Sequence, residues 1–347
     1  MGTMKAILKE KPGPGAVMTR CPVPKPKAGE VLVRVRATSF CGTDLHIYHW
    51  NSWAAGRVRP PQIMGHEVAG DVVEVGDGVS TIRAGDSVSA ETHIYCGHCR
   101  PCHLGMPEIC ANLSILGVDR DGCFAEFVAV PEIVCWKNDP SLPPHLASVQ
   151  EPLGNAIDTV LAEPVSARST LLTGCGPVGI LGVAVAKACG AAPIIATDVI
   201  DYRLDLAKRL GADIVLNPQR DDVVKEVRGA TGGAGVEVLC EMSGNAQALR
   251  DGLASLAPGG RVSLLGLFGK EVSLDLTGQI VLKKARVYGI YGRRIFETWQ
   301  KAAALIRGGR LDLASCVTHQ LPLDDFPKAV DLMEKGECGK IVMLPGD

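Results

Sequence analysis

The sequence predicts an α/β protein of two domains, one rich in short β-strands and one built on a doubly wound parallel sheet. Three observations support this prediction. The chain has 347 residues, which is enough for two separate hydrophobic cores. Short alternating strands occupy the first half. After about Leu153, strands alternate with helices instead.

The first half contains several segments with strand signals. Apolar residues recur in short runs, and Gly or Pro turns separate one run from the next. The segments are residues 31–35, 68–75, 87–89 and 124–130. Their short length and frequent turns predict a small irregular barrel.

The second half repeats a strand-then-helix pattern. Its strand candidates are residues 170–173, 194–198, 213–216, 236–242 and 261–267. One helix is predicted to begin at Pro177 and end before Gly190. Another has Asp201 as its predicted N-cap and ends before Gly211. A third covers the sheet with an apolar face made of Ala246, Leu249, Leu253 and Leu256.

The sequence does not determine which domain contains the tail of the chain, from about Gly292. It carries helical patterns at residues 298–306 and 324–333 and a final apolar run at 341–344. The tail can extend the sheet domain or fold back onto the first half. Periodicity does not choose between these two arrangements.

Charge and hydropathy exclude several classes of partner. Lys and Arg total 36 against 38 for Asp and Glu, so the net charge of −2 provides no basic field for nucleic acid or an anionic membrane. The first ten residues hold no apolar run of signal-peptide length, which favours a cytoplasmic protein. Residues 169–186 are uncharged, but their Gly and Pro residues predict a buried strand-turn-helix rather than a membrane span.

Four of the thirteen cysteines lie in one short loop, at positions Cys96, Cys99, Cys102 and Cys110. Four thiolates this close together can enclose one zinc ion tetrahedrally and leave no coordination position for water. The spacing therefore predicts a structural zinc site. An iron–sulfur cluster and free core cysteines are the alternatives, although the loop is too polar for core packing. His98 and His103 lie nearby but are not needed as ligands.

A second set of candidate metal ligands is scattered along the chain as Cys41, His66, Glu67 and Glu151. Each residue has an ordinary structural explanation when taken alone. Together they provide the mixed thiolate, imidazole and carboxylate donors of an open catalytic zinc site. A hydroxyl, a carboxylate and an imidazole follow Cys41 closely, at Thr43, Asp44 and His46. Such a cluster can bind a metal ion and move a proton.

A glycine-rich turn lies between a predicted strand and a predicted helix, with the residues Gly174, Cys175, Gly176, Pro177, Val178 and Gly179. In this context the glycines let the backbone approach a pyrophosphate, and the helix N-terminus supplies N–H groups. Asp198 ends the next strand, where a carboxylate binds ribose hydroxyls and repels a 2′-phosphate. NAD is therefore predicted over NADP. Arg203 could instead accept that phosphate, unless it pairs with Asp198 or faces solvent.

Several stretches resemble the medium-chain zinc alcohol dehydrogenase family. They are residues 41–48, Trp50 with Trp53, and residues 60–67, 91–94, 151–156 and 292–299. The cysteine loop and the Gly-His-Glu stretch are family-wide, whereas the first and last stretches are similar to threonine-oxidising members. The resemblance implies a GroES-like catalytic domain at residues 1–152 and 291–347. It implies a Rossmann NAD-binding domain at residues 153–290.

The resemblance also implies roles for individual residues. The implied catalytic zinc ligands are Cys41, His66 and Glu67, with Glu151 as a further ligand or a neighbour of the proton relay. The implied relay is Thr43 with His46. His93 is expected to shape amino-acid selectivity, although a core histidine is the alternative.

The implied contacts with the cofactor lie in the second domain. They are Val178, Asp198, Arg203, Leu265, Gly266, Leu267, Ile290 and Tyr291, in addition to the glycine-rich turn. Tyr291 stands where the resemblance leads us to expect a smaller residue. This departure bears on the size of the pocket and hence on the substrate.

The activity implied by the resemblance is zinc-dependent, NAD-linked oxidation of L-threonine at C3, a reaction of amino-acid degradation. The product would be 2-amino-3-oxobutanoate, and the enzyme would be a homotetramer with one catalytic and one structural zinc ion per subunit. Two alternatives stay open. One is a polyol or 2,3-butanediol dehydrogenase of the same family. The other is a non-catalytic dinucleotide sensor, similar to quinone reductases, that keeps only the structural zinc.

Overall fold

The computed structural model describes residues 2–346, and the chain divides into two compact units. The first unit runs to Glu151 and also includes Val317–Lys335 and the chain from Lys340 onward. The second unit comprises Pro152–Cys316 and Gly336–Gly339. The tail therefore contributes to both units, which answers the question that periodicity left open.

The second crossing between the units falls at Val317 instead of the expected residue 291. Residues 291–316 stay with the second unit because their side chains bond to its first helix. Arg293 Nε donates to Asn155 Oδ1 at 2.8 Å, and Arg294 Nε donates to Asp158 Oδ1 at 2.6 Å. Residues 290 and 291, where the sequence led us to expect the boundary, lie inside the second unit of this division.

Eighteen strands form the sheets of the described residues. They are β1 Thr3–Lys9, β2 Val17–Pro22, β3 Glu30–Phe40, β4 Gln62–Ile63, β5 Glu67–Val75, β6 Ser87–Ala90, β7 His93–Ile94, β8 Ser114–Ile115, β9 Phe127–Pro131, β10 Cys135–Lys137, β11 Thr170–Thr173, β12 Ile194–Thr197, β13 Ile214–Leu216, β14 Val236–Glu241, β15 Leu256–Leu264, β16 Arg286–Gly289, β17 Val317–Pro322 and β18 Lys340–Leu344.

Eleven α-helices connect these strands in the described part of the chain. They are α1 Gly42–His49, α2 Ser52–Arg57, α3 Arg100–His103, α4 Pro144–Ala147, α5 Gln150–Val160, α6 Pro177–Ala188, α7 Asp201–Arg209, α8 Val223–Ala230, α9 Ala246–Ala254, α10 Glu297–Arg307 and α11 Phe326–Lys335. Between residues 2 and 346, no helix combines the length and the apolar character needed to cross a bilayer.

The first unit is built on a seven-stranded sheet in the order β10-β6-β5-β3-β18-β17, with β9 also paired to β3. Strand β3 is long and almost entirely buried, because it pairs with β5, β9 and β18. Apolar residues that alternate along these strands form its core, including Val31, Val33, Val35, Val68 and Val72. The irregular β-rich half predicted from the sequence is present.

The second unit contains a six-stranded parallel sheet in the order β13-β12-β11-β14-β15-β16. This order reverses direction beside β11, so the carboxyl ends of β11 and β14 flank a crevice of the kind in which doubly wound sheets bind ligands. The sheet core is made of residues such as Leu171, Ile195, Leu239 and Val262. The predicted α/β fold class is confirmed.

Two local predictions in the second unit are wrong. The N-cap of α7 is Ile200, because the Asp201 carboxylate instead pairs with Arg220 and accepts from Asn217. Helix α9 ends at Ala254, and Leu256 begins β15 instead of extending the apolar helix face. Parallel pairing with Val236 draws Leu256 into the sheet. Strands β16 and β17 had no recognisable signal.

Candidate metal centres and cofactor site

The four loop cysteines converge on one point. Their sulfur atoms all lie within 4.8 Å of one another. The separations are 3.4 Å between Cys99 and Cys102, 3.7 Å between Cys99 and Cys110, and 3.5 Å between Cys96 and Cys110. Four sulfurs about 2.3 Å from a central zinc ion in a tetrahedron lie roughly 3.8 Å apart. The donor set therefore fits a closed metal site, and the distances are too long for disulfides.

Backbone and amide N–H groups support the sulfurs as thiolates. Asn112 donates from its backbone to Cys110 and from its side chain to Cys96, and Ala111 donates to Cys99. The Asn112 amide and the backbone N–H groups lower the pKa of Cys96 to about 5. His98 bonds to the Cys96 carbonyl instead of the sulfur cluster. Asn112 was not predicted, since an isolated Asn after a cysteine carries no recognisable signal.

Cys41, His66 and Glu67 also come together, with their ligand atoms within 4.8 Å of one another. The pairing of β3 with β5 causes this. Cys41 follows the last residue of β3, and Glu67 is the first residue of β5, where it lies opposite Ser39. Cys41 and the His66-Glu67 pair, 25 residues apart in the sequence, therefore bring a thiol, an imidazole and a carboxylate close together.

Asp44 orients two of these ligands. Its Oδ2 accepts from the Cys41 backbone N–H at 2.9 Å, which caps helix α1, and its Oδ1 lies 3.4 Å from His66 Nδ1. Burial alone would lower the pKa of His66, but the Asp44 carboxylate and the Cys41 thiol raise it well above its usual value. A carboxylate behind a metal-binding histidine fixes the ring and leaves the other nitrogen for the ion.

The two oxygen atoms of the Glu67 carboxylate have different surroundings. Its Oε2 accepts from the Ser39 hydroxyl and from Lys340 Nζ, the latter at 2.5 Å. Its Oε1 is buried and has no hydrogen-bond partner among residues 2–346. A buried carboxylate oxygen without a donor is costly unless a cation neutralises it. Together with the thiol of Cys41 and the imidazole of His66, this oxygen fits a divalent metal such as zinc.

Thr43 and His46 lie on α1, the helix that follows Cys41. Thr43 Oγ1 is 3.9 Å from Cys41 Sγ, and the His46 ring packs edge-on against Trp53 at 6.4 Å. Partial desolvation of the ring, which is still exposed to solvent, and the nearby His49 lower the pKa of His46. A neutral imidazole of this kind can accept a proton near pH 7.

Glu151 does not join the Cys41 group. Its carboxylate groups instead with Glu91 and His93, again within 4.8 Å, and all three side chains are buried. Glu91 Oε1 accepts from the His93 backbone N–H at 2.9 Å and lies 3.2 Å from His93 Nδ1. Glu91 was not predicted as a site residue. It could have been found from its position two residues before His93, because residues 91–94 are one of the stretches that resemble the family.

The predicted cofactor residues lie together at the carboxyl edge of the parallel sheet. The glycine-rich turn follows β11, and Asp198 follows β12. Leu265, Gly266 and Leu267 follow β15, while Ile290 and Tyr291 follow β16. Because parallel strands end at one edge, residues scattered over more than 100 positions meet there. Val178 lies in the first turn of α6, half-buried.

The three glycines of the turn have different local requirements. Gly174 has φ +90°, and a Cβ there would lie 2.8 Å from Ser243. A Cβ on Gly179 would lie 1.9 Å from the Gly174 carbonyl oxygen, so Gly179 is required for packing. A Cβ on Gly176 would meet nothing within 4 Å. The open space at Gly176, at the N-terminus of α6, fits the close approach of a phosphate group.

The Asp198 carboxylate is held in place by the backbone. It accepts from the N–H groups of Cys175 at 2.8 Å and Ile200 at 3.0 Å. Arg203 Nη1 lies 3.9 Å from Asp198 Oδ2. Of the two readings of Arg203, pairing with Asp198 is the one that the geometry supports.

Comparison with known proteins places these features in a family. Residues 27–140 match the alcohol dehydrogenase GroES-like domain, and residues 177–308 match the zinc-binding dehydrogenase domain. Together the two matches cover more than half of the chain. The chain belongs to the zinc-binding alcohol dehydrogenase family. The predicted resemblance is thus confirmed, and the protein is an oxidoreductase.

Relatives of this dehydrogenase are similar over nearly their full length. An L-threonine 3-dehydrogenase of Pyrococcus horikoshii is 53% identical over 98% of both chains. The L-threonine 3-dehydrogenase of Bacillus subtilis is 46% identical over 99% of both chains.

Solved structures of the family share the fold of this dehydrogenase. A zinc-binding dehydrogenase from Sinorhizobium meliloti, bound to NADP, has a TM-score of 0.90 at 29% identity and covers 99% of this chain and 100% of its own. An alcohol dehydrogenase from Escherichia coli, complexed with NADH, has a TM-score of 0.90 at 28% identity and the same coverage. A 2R,3R-butanediol dehydrogenase from Bacillus subtilis has a TM-score of 0.89 at 30% identity, over 99% and 100%.

The glycine-rich turn of this dehydrogenase generates a paired prediction. Gly179→Ala forces a clash with backbone, so we expect a loss of about 1–3 kcal/mol in the free energy of unfolding. Gly176→Ala meets no protein atom, so we expect unchanged stability but about tenfold or greater weakening of dinucleotide binding. Denaturant unfolding and calorimetric titration measure the two effects. Equal dinucleotide affinity in Gly176→Ala and the wild type would contradict the assignment of this turn.

Proposed function

We propose that this dehydrogenase oxidises L-threonine at C3 with NAD, giving 2-amino-3-oxobutanoate and NADH. The observation that carries the proposal is the Cys41, His66 and Glu67 donor set, with its buried and unpartnered Glu67 Oε1. The naming of relatives at 46–54% identity as L-threonine 3-dehydrogenases supports the choice of substrate. The proposal includes two zinc ions per chain, one in the four-cysteine loop and one with Cys41.

The proposed chemistry divides between bound groups and side chains. Cys41, His66 and Glu67 would hold a zinc ion, which would supply the Lewis acidity for ionising an alcohol hydroxyl, and the glycine-rich turn with Asp198 would hold NAD as the hydride acceptor. The chain itself must remove the proton. The Thr43 hydroxyl, close to the Cys41 sulfur, passes it to the His46 imidazole, which is neutral near pH 7 because its pKa is lowered. His46 is exposed and can release the proton to water.

The Glu91, His93 and Glu151 group supports an amino acid as substrate over a plain polyol. Two buried carboxylates supply negative charge, and the ammonium group of threonine is positive whereas a diol has no charge. We assign recognition of the α-ammonium to this group, with His93 setting selectivity and Glu151 acting beside the relay. This assignment favours the role of Glu151 as a neighbour of the relay over that of a zinc ligand.

Asp198 supports NAD as the cofactor. Its carboxylate stands at the end of β12, fixed by two backbone N–H groups. A carboxylate at that position accepts hydrogen bonds from the ribose hydroxyls and repels a 2′-phosphate. Arg203 Nη1 lies 3.9 Å from Asp198 Oδ2, so its charge is partly balanced by that carboxylate.

Initial rates on a substrate panel test the proposed function. We expect kcat/KM for L-threonine to exceed the values for 2,3-butanediol and sorbitol by at least tenfold, and NAD to be preferred over NADP. The matched control is Cys41→Ser, which should keep its fold and NAD binding but lose turnover and one zinc ion. A higher kcat/KM for butanediol or sorbitol would contradict the proposal and identify the protein as a polyol or 2,3-butanediol dehydrogenase. Full activity of Cys41→Ser would refute the metal assignment.

We also propose that the protein is a homotetramer that uses the edge of the parallel sheet as one interface. Strand β16 ends the sheet order, so its outer edge has no partner among the described strands. Val287 on β16 is exposed at 47%, and the segment that leads into β16 exposes Leu276 at 61%, Val281 at 68% and Leu282 at 77%. Exposed apolar surface beside an open strand edge fits a second copy of the same chain.

A charge placed on this edge should reduce the oligomeric state. We expect Leu282→Glu to give a smaller species than the wild type by size-exclusion chromatography with light scattering, because burying a carboxylate opposes association. The control is Ile133→Glu, which alters an apolar side chain of similar type, exposed at 45%, in the first unit. An unchanged molar mass for Leu282→Glu would count against this interface.

A further inference from the structure

We propose that Lys340 is a positioning residue that fixes the Glu67 carboxylate so that one oxygen is presented to the metal. The proposal rests on the proposed function, since it requires a metal ion with Cys41, His66 and Glu67. It concerns a residue in the last strand of the chain, 273 positions beyond Glu67.

The ammonium group of Lys340 joins the two elements that carry the ligands. Lys340 is the first residue of β18 and is fully buried. Its Nζ donates to Glu67 Oε2 at 2.5 Å and to the Phe40 carbonyl oxygen at 2.9 Å. Phe40 immediately precedes Cys41 and pairs with Ile341 in the sheet. The Lys340 ammonium thus connects the end of β3, which is followed by Cys41, to the beginning of β5, where Glu67 lies.

These bonds leave the two Glu67 oxygens unequal. Oε2 accepts from both Lys340 and Ser39, so it is engaged twice. Oε1 is buried and accepts no hydrogen bond from the part of the chain that the structure describes. Because two donors hold Oε2, the carboxylate cannot rotate freely. Oε1 is therefore the oxygen that is available to the ion.

Negatively charged groups around Lys340 explain how its buried ammonium group is stabilised. A buried lysine is costly unless a negative partner compensates its charge. Burial would lower the pKa of Lys340, but Glu67, Cys41 and Glu151 raise it overall. The cation faces these acidic groups, and Ser39 and Phe40 provide only a neutral hydroxyl and a carbonyl. Lys340 therefore balances the anionic donors while it orients one of them.

Lys9 provides a matched control in the same unit. It is also a fully buried lysine, but within residues 2–346 its Nζ donates to backbone carbonyls, those of Gly13, Gly15 and Tyr48, and to no carboxylate. Replacing Lys9 removes a buried ammonium without touching Glu67. A general effect of losing a buried lysine would appear in Lys9→Met and Lys340→Met alike.

The experiment measures zinc per chain and zinc affinity in the wild type, Lys340→Met, Lys340→Arg, Ser39→Ala and Lys9→Met, after dialysis against a chelator. We expect two zinc ions in the wild type and in Lys9→Met. In Lys340→Met we expect the four-cysteine ion to remain and the second ion to bind at least tenfold more weakly. Lys340→Arg, which keeps the charge, should recover part of the affinity.

Ser39→Ala keeps the test decisive if Lys340→Met does not fold. It removes the second donor to Oε2 without removing a charge. We expect this variant to bind the second zinc ion several-fold more weakly and to show an altered visible spectrum when cobalt replaces that ion. Wild-type affinity for the second zinc in both Lys340→Arg and Ser39→Ala, or in Lys340→Met, would overturn it. A wild-type protein with only the four-cysteine ion would instead refute the proposed function, and the two failures are thus distinguishable.

Discussion

The pairing of β3 with β5 is the constraint on which the catalytic chemistry of this dehydrogenase depends. Ser39 lies opposite Glu67 in the antiparallel ladder, so the chain that leaves β3 delivers Cys41 to the place where His66 and Glu67 enter β5. A slip of one residue would turn Glu67 to the other face of the sheet and separate it from Cys41. The long buried strand β3 prevents this slip, because β5, β9 and β18 all pair with it.

Two sets of polar contacts restrain the candidate metal ligands. Asp44 caps α1 and faces His66, while Ser39 and Lys340 hold one oxygen of Glu67. Such buried polar contacts are favourable only when every group has a partner. Ser39 and Lys340 satisfy Glu67 Oε2, whereas Oε1 has no hydrogen-bond partner among the described residues, so Oε1 is the oxygen available to a metal ion.

Local features were predictable from residue spacing, and the distant set of Cys41, His66 and Glu67 was predicted with the help of the family resemblance, but other long-range contacts were not. The four cysteines and the glycine-rich turn were found because their residues are close in the chain, so spacing alone reports their geometry. The contact of Lys340 with Glu67 depends on which strand pairs with β3, and nothing near Lys340 indicates it. Glu151 was expected as a further zinc ligand or a neighbour of the relay, and its carboxylate lies within 4.8 Å of the ligand atoms of Glu91 and His93. Strand β16 was missed because the stretch Arg-Val-Tyr-Gly is too short for a pattern.

The most direct test of the account is an anomalous-scattering experiment at the zinc absorption edge on crystals of the native enzyme. The account predicts two peaks per chain. One lies among Cys96, Cys99, Cys102 and Cys110, and the other is coordinated by Cys41, His66 and Glu67. A single peak in the cysteine loop, or a second peak held by Glu91, His93 and Glu151 instead, would contradict it.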